Sequence, residues 1–113
     1  MSIATIIDNV VAELVRQDGK WGKQNHPDGT GDALAASFAL RAQQACRDAA
    51  SRGSCTWQLI LAEEVAEAFA ESDPGALRAE LIQVAAVALQ WIEAIDRRLT
   101  RSETCPGGEA CGL

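Results

Sequence analysis

Twelve consecutive residues, Leu81 to Ile92 (LIQVAAVALQWI), contain only two polar side chains, Gln83 and Gln90. Read at 100° per residue, this stretch is a helix with apolar side chains pointing in nearly every direction. Such a helix has no wet face. A lone four-helix bundle leaves one side of each helix to solvent, so burial on both sides of this one predicts a helical oligomer.

The rest of the chain supplies the remaining helices. Its 113 residues amount to about one domain, with a modest core if it stands alone. Apolar residues make up 48%, yet there are only two Phe, three Trp and no Tyr, and an alanine-rich, aromatic-poor chain favours close-packed helices over a sheet. Ile3, Ile6, Ile7, Val10, Val11, Leu14 and Val15 recur at helical spacing and predict a first helix over 3–17, ending near Asp18-Gly19. Gly19 to Gly31 then reads as a structured loop, or a short helix with turns, around Trp21. Asp32 caps a second helix to about Ser51, with Leu34, Phe38 and Ala45 facing inward and Arg52-Gly53 closing it. A third helix spans about Thr56 to Glu71. Ser72-Asp73-Pro74 has the pattern of an N-cap before a proline at the first helical position, opening a fourth helix to about Leu99. The expected organisation is all-α, a four-helix bundle over residues 1–100 followed by a flexible tail over 101–113.

Charge narrows the function. A formal net charge of -6 and the lack of a basic stripe argue against a nucleic-acid partner. Asp8 and Glu13 interrupt the apolar N-terminal stretch, which has no basic n-region, so it is neither signal peptide nor membrane span; the expected compartment is the cytoplasm. Cys46, Cys55, Cys105 and Cys111 form no C-x-x-C pair and read as free thiols, the last two in a tail that could oxidise in vitro. There is no P-loop and no G-x-G-x-x-G, so a glycine-rich phosphate cradle is unsupported. Phosphate chemistry in so acidic a chain would need a bound cation.

The sequence offers a place for one. Between Arg52 and Arg78 there is no lysine or arginine, while Glu63, Glu64, Glu67, Glu71 and Asp73 all fall there. Glu64, Glu67 and Glu71 share a stripe about 60° wide beside the apolar stripe of Trp57, Leu61, Val65 and Phe69. Like charges at i, i+4 cost roughly 0.2–0.5 kcal/mol per pair, a conflict that a solvated structural face usually relieves with lysines and that Mg²⁺ relieves by taking carboxylate oxygens as ligands. Glu80 and Gln83 repeat the i, i+3 spacing on the next helix, where nearly everything around them is apolar, so they need partners inside the bundle.

Glu64-x-x-Glu67, twelve intervening residues, then Glu80-x-x-Gln83 resembles the E-x-x-E, spacer, E-x-x-D signature of the MazG-like all-α NTP pyrophosphatases. The upstream segment Lys20-Trp21-Gly22-Lys23-Gln24-Asn25-His26-Pro27 is similar to the tryptophan, glutamine and histidine segment preceding the second helix in that family, and together the likeness covers about residues 10 to 98. The resemblance implies an oligomeric helical bundle, a homodimer or homotetramer. It implies Mg²⁺, or Mn²⁺ in its place, held by Glu64, Glu67 and Glu80, with Gln83 standing where the family has an aspartate. The implied reaction is hydrolysis of a (d)NTP to the monophosphate and pyrophosphate. An amide can coordinate through its carbonyl or orient a bound water but adds no charge, so either Glu63 or Glu71 compensates or metal affinity and activity are weakened.

On this reading Glu63 or Glu64 takes the proton of the attacking water. Trp21 stacks on the base, Lys20 and Lys23 reach phosphates, and Gln24 or His26 bonds a base or sugar edge. The alternative at each position is structural: Trp21 plugs the bundle end, the lysines are solvated, and His26 holds a local hydrogen bond. Trp57 and Trp91 read as core or interface, and Arg78 as one side of a surface ion pair. A different class of function also fits, a nucleotide- or metal-binding regulatory protein whose catalysis is weakened by Gln83. A purely structural bundle fits the acidic motif least.

Overall fold

The computed structural model describes residues 2–104, the side chains of 102–104 excepted. Four α-helices follow one another among them: α1 (Ile3–Trp21), α2 (Ala33–Ser51), α3 (Trp57–Ala70) and α4 (Pro74–Thr104). The described chain is all-helical, with no strand. None of these helices is long and apolar enough to cross a membrane.

All four starts are written as side-chain caps. The Asp32 carboxylate accepts from Ala35 N at 2.8 Å, the Thr56 hydroxyl from Leu59 N at 3.2 Å, and the Asp73 carboxylate from Ala76 N at 2.9 Å, with Pro74 as the first helical residue. Each bond satisfies an N–H that the helix itself leaves open, a contribution of about 1 kcal/mol. Ser2 does the same for α1.

Helix α1 runs past its expected end at Gly19. The break comes at Gly22, whose φ of 70° and N–H bond to Asp18 O (2.8 Å) close the helix. Gly19 is tolerated as an interior residue, at about 1 kcal/mol, and Lys20 in the last turn complements the helix dipole. Trp21 is therefore the final residue of a helix, not a loop residue. Helix α4 likewise continues past Leu99 to Thr104, with no glycine or proline between Gly75 in its first turn and Pro106. Residues 101–104, expected as tail, are its last turn; the tail from 105 on, with Cys105 and Cys111, lies outside the described residues.

The chain divides into two compact units, one of the residues up to Asn25 with those from Leu89 on, the other spanning His26–Ala88. In the second unit α2 packs along α3. The inward face of α2 is not the expected Leu34, Phe38 and Ala45, all of which are exposed. Half-buried Ala35, Ala39, Ala42 and Cys46 lead instead to buried Ala49, at steps of three and four. Small side chains let two helix backbones approach closely, and the larger residues are displaced to the flank. Ala49, Ala68 and Leu77 are the buried apolar residues of this unit and Ile6 that of the first.

A close contact ties the segment before α2 to the end of α3. Gly31 N donates to Phe69 O at 2.9 Å, and the Thr30 hydroxyl donates to Glu71 O at 2.6 Å. These satisfy carbonyls that α3 leaves open at its C-terminus. Gly31 has φ 92°, and a Cβ there would stand 2.6 Å from Ser72 Cβ, so only glycine fits.

Candidate metal centre

Helix α3 carries Glu64 and Glu67 one turn apart, and Glu80 lies in the second turn of α4, after the turn capped by Asp73. One oxygen from each of Glu64, Glu67 and Glu80 falls within 4.8 Å of the other two. All three residues are half-buried. Oε2 of Glu64 and Oε2 of Glu80 are shut off from solvent and have no hydrogen-bond partner.

Acid groups so placed are uncomfortable as anions. Burial, then the charges of Glu80 and Glu63, push the Glu64 carboxyl above its ordinary value. Burial, then Glu64, Glu63 and Glu80, do the same to Glu67, which also shares a hydrogen bond with Glu80. A proton between two carboxylates supplies the positive charge that the site otherwise lacks. A cation could meet the same need, since the donor set is all oxygen and the orphaned buried oxygens are unspent acceptors.

Not every expected member joins. Gln83, one turn beyond Glu80, is exposed. Glu71 turns to the α3–α4 connection, where its Oε1 accepts from Asp73 N at 3.2 Å. Glu63 is half-buried on α3 and stands near the Cys46 thiol of α2, which its carboxylate pushes up. It acts on Glu64 and Glu67 through its charge alone. That thiol partner had no signal in the sequence, because Cys46 and Glu63 meet only through the packing of α2 on α3.

Of the residues expected to touch substrate, Lys20, Trp21, Lys23 and Gln24 belong to the other unit, and His26 opens the unit that holds the glutamates. Lys20 and Trp21 end α1, with the Lys20 ammonium 4.9 Å from the centre of the Trp21 ring, a cation–π contact. Trp21 is 63% exposed. Lys23 and Gln24 follow, both exposed. Trp57 and Trp91 are half-buried, as residues on apolar faces should be. Arg78 takes part in none of the ion pairs among the described residues and lines a shallow depression with Asp28. A larger groove of about 640 Å³ lies between α2 and α3, walled by Leu34, Phe38, Val65 and Phe69. At 100° per residue its α3 wall is roughly opposite the glutamates, so groove and acid cluster are separate features.

The raised carboxyls predict a pH dependence. Between the ordinary value of 4.5 and the raised values, the folded protein holds more protons than the unfolded chain, so stability falls as pH rises. In chelator-containing buffer Tm should climb as pH is lowered from neutrality through the raised values and level off near 4.5. The double variant Glu64→Gln, Glu67→Gln should lose that climb. An identical profile in the double variant would remove these two acids as its source.

Compared with protein-family models, curated proteins and solved structures, the chain matches none of them.

Proposed function

We propose that the chain is a Mg²⁺-dependent nucleoside triphosphate pyrophosphohydrolase of the MazG-like type, with Mn²⁺ able to replace Mg²⁺. The observation that carries this reading is the convergence of Glu64, Glu67 and Glu80 on one point with two buried oxygens unpaired. Those three residues would hold the ion. Bound there, it would supply the positive charge that offsets charge developing on the phosphate oxygens of a (d)NTP. Glu63 lies beside the cluster without belonging to it and has acceptor capacity beyond its thiol contact, which suits it to take the proton of the attacking water. Gln83 adds no charge and, being exposed, orients water or substrate at the margin. A protein of this kind works in the cytoplasm, where its substrates are.

The product set tests the reaction type: a nucleoside monophosphate with pyrophosphate, not a diphosphate with phosphate. The regulatory alternative draws on Gln83 and predicts nucleotide or Mg²⁺ binding without turnover.

The bundle works as a homodimer or homotetramer on this reading. Leu81, Ile82 and Ile92 remain 48%, 53% and 38% exposed in the single chain, and Phe38 and Phe69 flank an open apolar groove. Surface of this kind in a small domain calls for a partner copy. Sedimentation at micromolar concentration should give a species of at least twice 12.0 kDa. A 12.0 kDa species alone would rule the oligomer out.

Exposed Trp21, with Lys20 and Lys23 beside it, is the chain's means of gripping a base and its phosphates. Trp21→Ala should raise KM several-fold with little change in Tm, since little burial is lost. Unchanged KM with a lowered Tm would make Trp21 a packing residue.

A further inference from the structure

Cys46, half-buried on α2, and Cys55, exposed in the connection to α3, bring their sulfurs to 3.7 Å. A disulfide needs about 2.05 Å between sulfurs, a difference within reach of side-chain rotation in a short loop. The loop is built to bend: Gly53, two residues before Cys55, has φ 69°. We propose that Cys46 and Cys55 form a dithiol site that low-molecular-weight disulfides oxidise to an intramolecular disulfide.

The two thiols have different parts. Cys55 is open to solvent and meets the incoming disulfide R–S–S–R. Its thiolate attacks one sulfur, breaking the S–S bond, forming a mixed disulfide and releasing RS⁻. Cys46 then attacks the Cys55 sulfur, the mixed disulfide breaks, and the Cys46 proton leaves with the second thiolate as RSH. Two protein thiols are oxidised and one small disulfide is reduced to two thiols. Glu63, burial and Cys55 raise the Cys46 thiol from 9.0 to about 12, so it keeps its proton and does not start the exchange; its part in the second step rests on its sulfur standing 3.7 Å from that of Cys55. Oxidation also removes the thiol that stands beside Glu63, the residue next to Glu64.

The full chain, reduced and then exposed to oxidised glutathione, tests this by tryptic mapping without reductant. Cleavage after Arg41, Arg47, Arg52 and Arg78 places Cys46 in residues 42–47 and Cys55 in 53–78. The proposal expects these two peptides joined, lighter than their sum by two hydrogens. In Cys46→Ser, glutathione should remain trapped on Cys55, and in Cys55→Ser, Cys46 should stay a free thiol. Separate glutathione adducts on Cys46 and Cys55 in the native chain would overturn it. So would a Cys46 that stays free, or a link from either residue to Cys105 or Cys111.

Discussion

Glu67→Gln should abolish both the stabilisation by Mg²⁺ and the turnover of nucleoside triphosphate, while leaving metal-free stability unchanged or higher. On the proposed reading the wild-type chain would bind the ion only when folded, so at a hundred times Kd it would gain about 2.7 kcal/mol, a clear rise in Tm. Losing one of three carboxylate ligands should lower turnover roughly 100-fold or more, since even residues that only support metal ligands cost up to that much. The unusual part is the sign without metal. Glu67 is crowded by the charges of Glu64, Glu63 and Glu80, and a neutral amide relieves that repulsion while still able to bond Glu80. An ordinary solvated acidic face predicts no specific Mg²⁺ response in either protein. Melts with Mg²⁺ and with chelator, for both proteins, separate the two accounts.

Gly31→Ala should cause the largest loss of stability of any single-methyl change in the described chain. The backbone there has φ 92°, and the added Cβ would meet Ser72 Cβ at 2.6 Å and Ser72 Cα at 3.1 Å. Strain in the left-handed region adds to a clash against backbone, for a combined cost of roughly 2–4 kcal/mol. Tm should fall on the order of 10 °C. Gly53→Ala is the control, because its φ of 69° is also positive but nothing lies within 4 Å. Its loss should be the smaller, about 1 kcal/mol. Equal losses would show that the contact with Ser72 yields and that conformation alone matters.

Local chemistry was the most legible part of the sequence. Asp32 and Asp73 read as caps and each caps its helix, whereas Thr56, read as the start of the third helix, is its cap. The spacing of Glu64 and Glu67 fixes one face of α3 whatever that helix packs against, and Glu80 of α4 joins them through the packing of α4 after the Asp73-capped turn. What failed was the choice of packing face on α2. Leu34 and Phe38 are its large apolar residues and draw the eye inward, but the distance between α2 and α3 suits the alanines. Pattern reports which residues are apolar, whereas steric fit decides which of them meet a neighbour. The end of α1 slipped for a related reason: Gly19 has the residue type of a breaker, and Gly22 has the conformation. Cys46, Cys55 and Glu63 meet across a helix connection, and no short motif encodes such a meeting.

Pyrophosphate release from a panel of NTPs and dNTPs, measured with and without Mg²⁺, tests the central claim most directly. The account predicts equimolar pyrophosphate and nucleoside monophosphate from at least one of them, dependent on Mg²⁺ or Mn²⁺ and absent from Glu67→Gln. Turnover that persists in Glu67→Gln, or its absence from the native protein with every nucleotide and both metals, would contradict it.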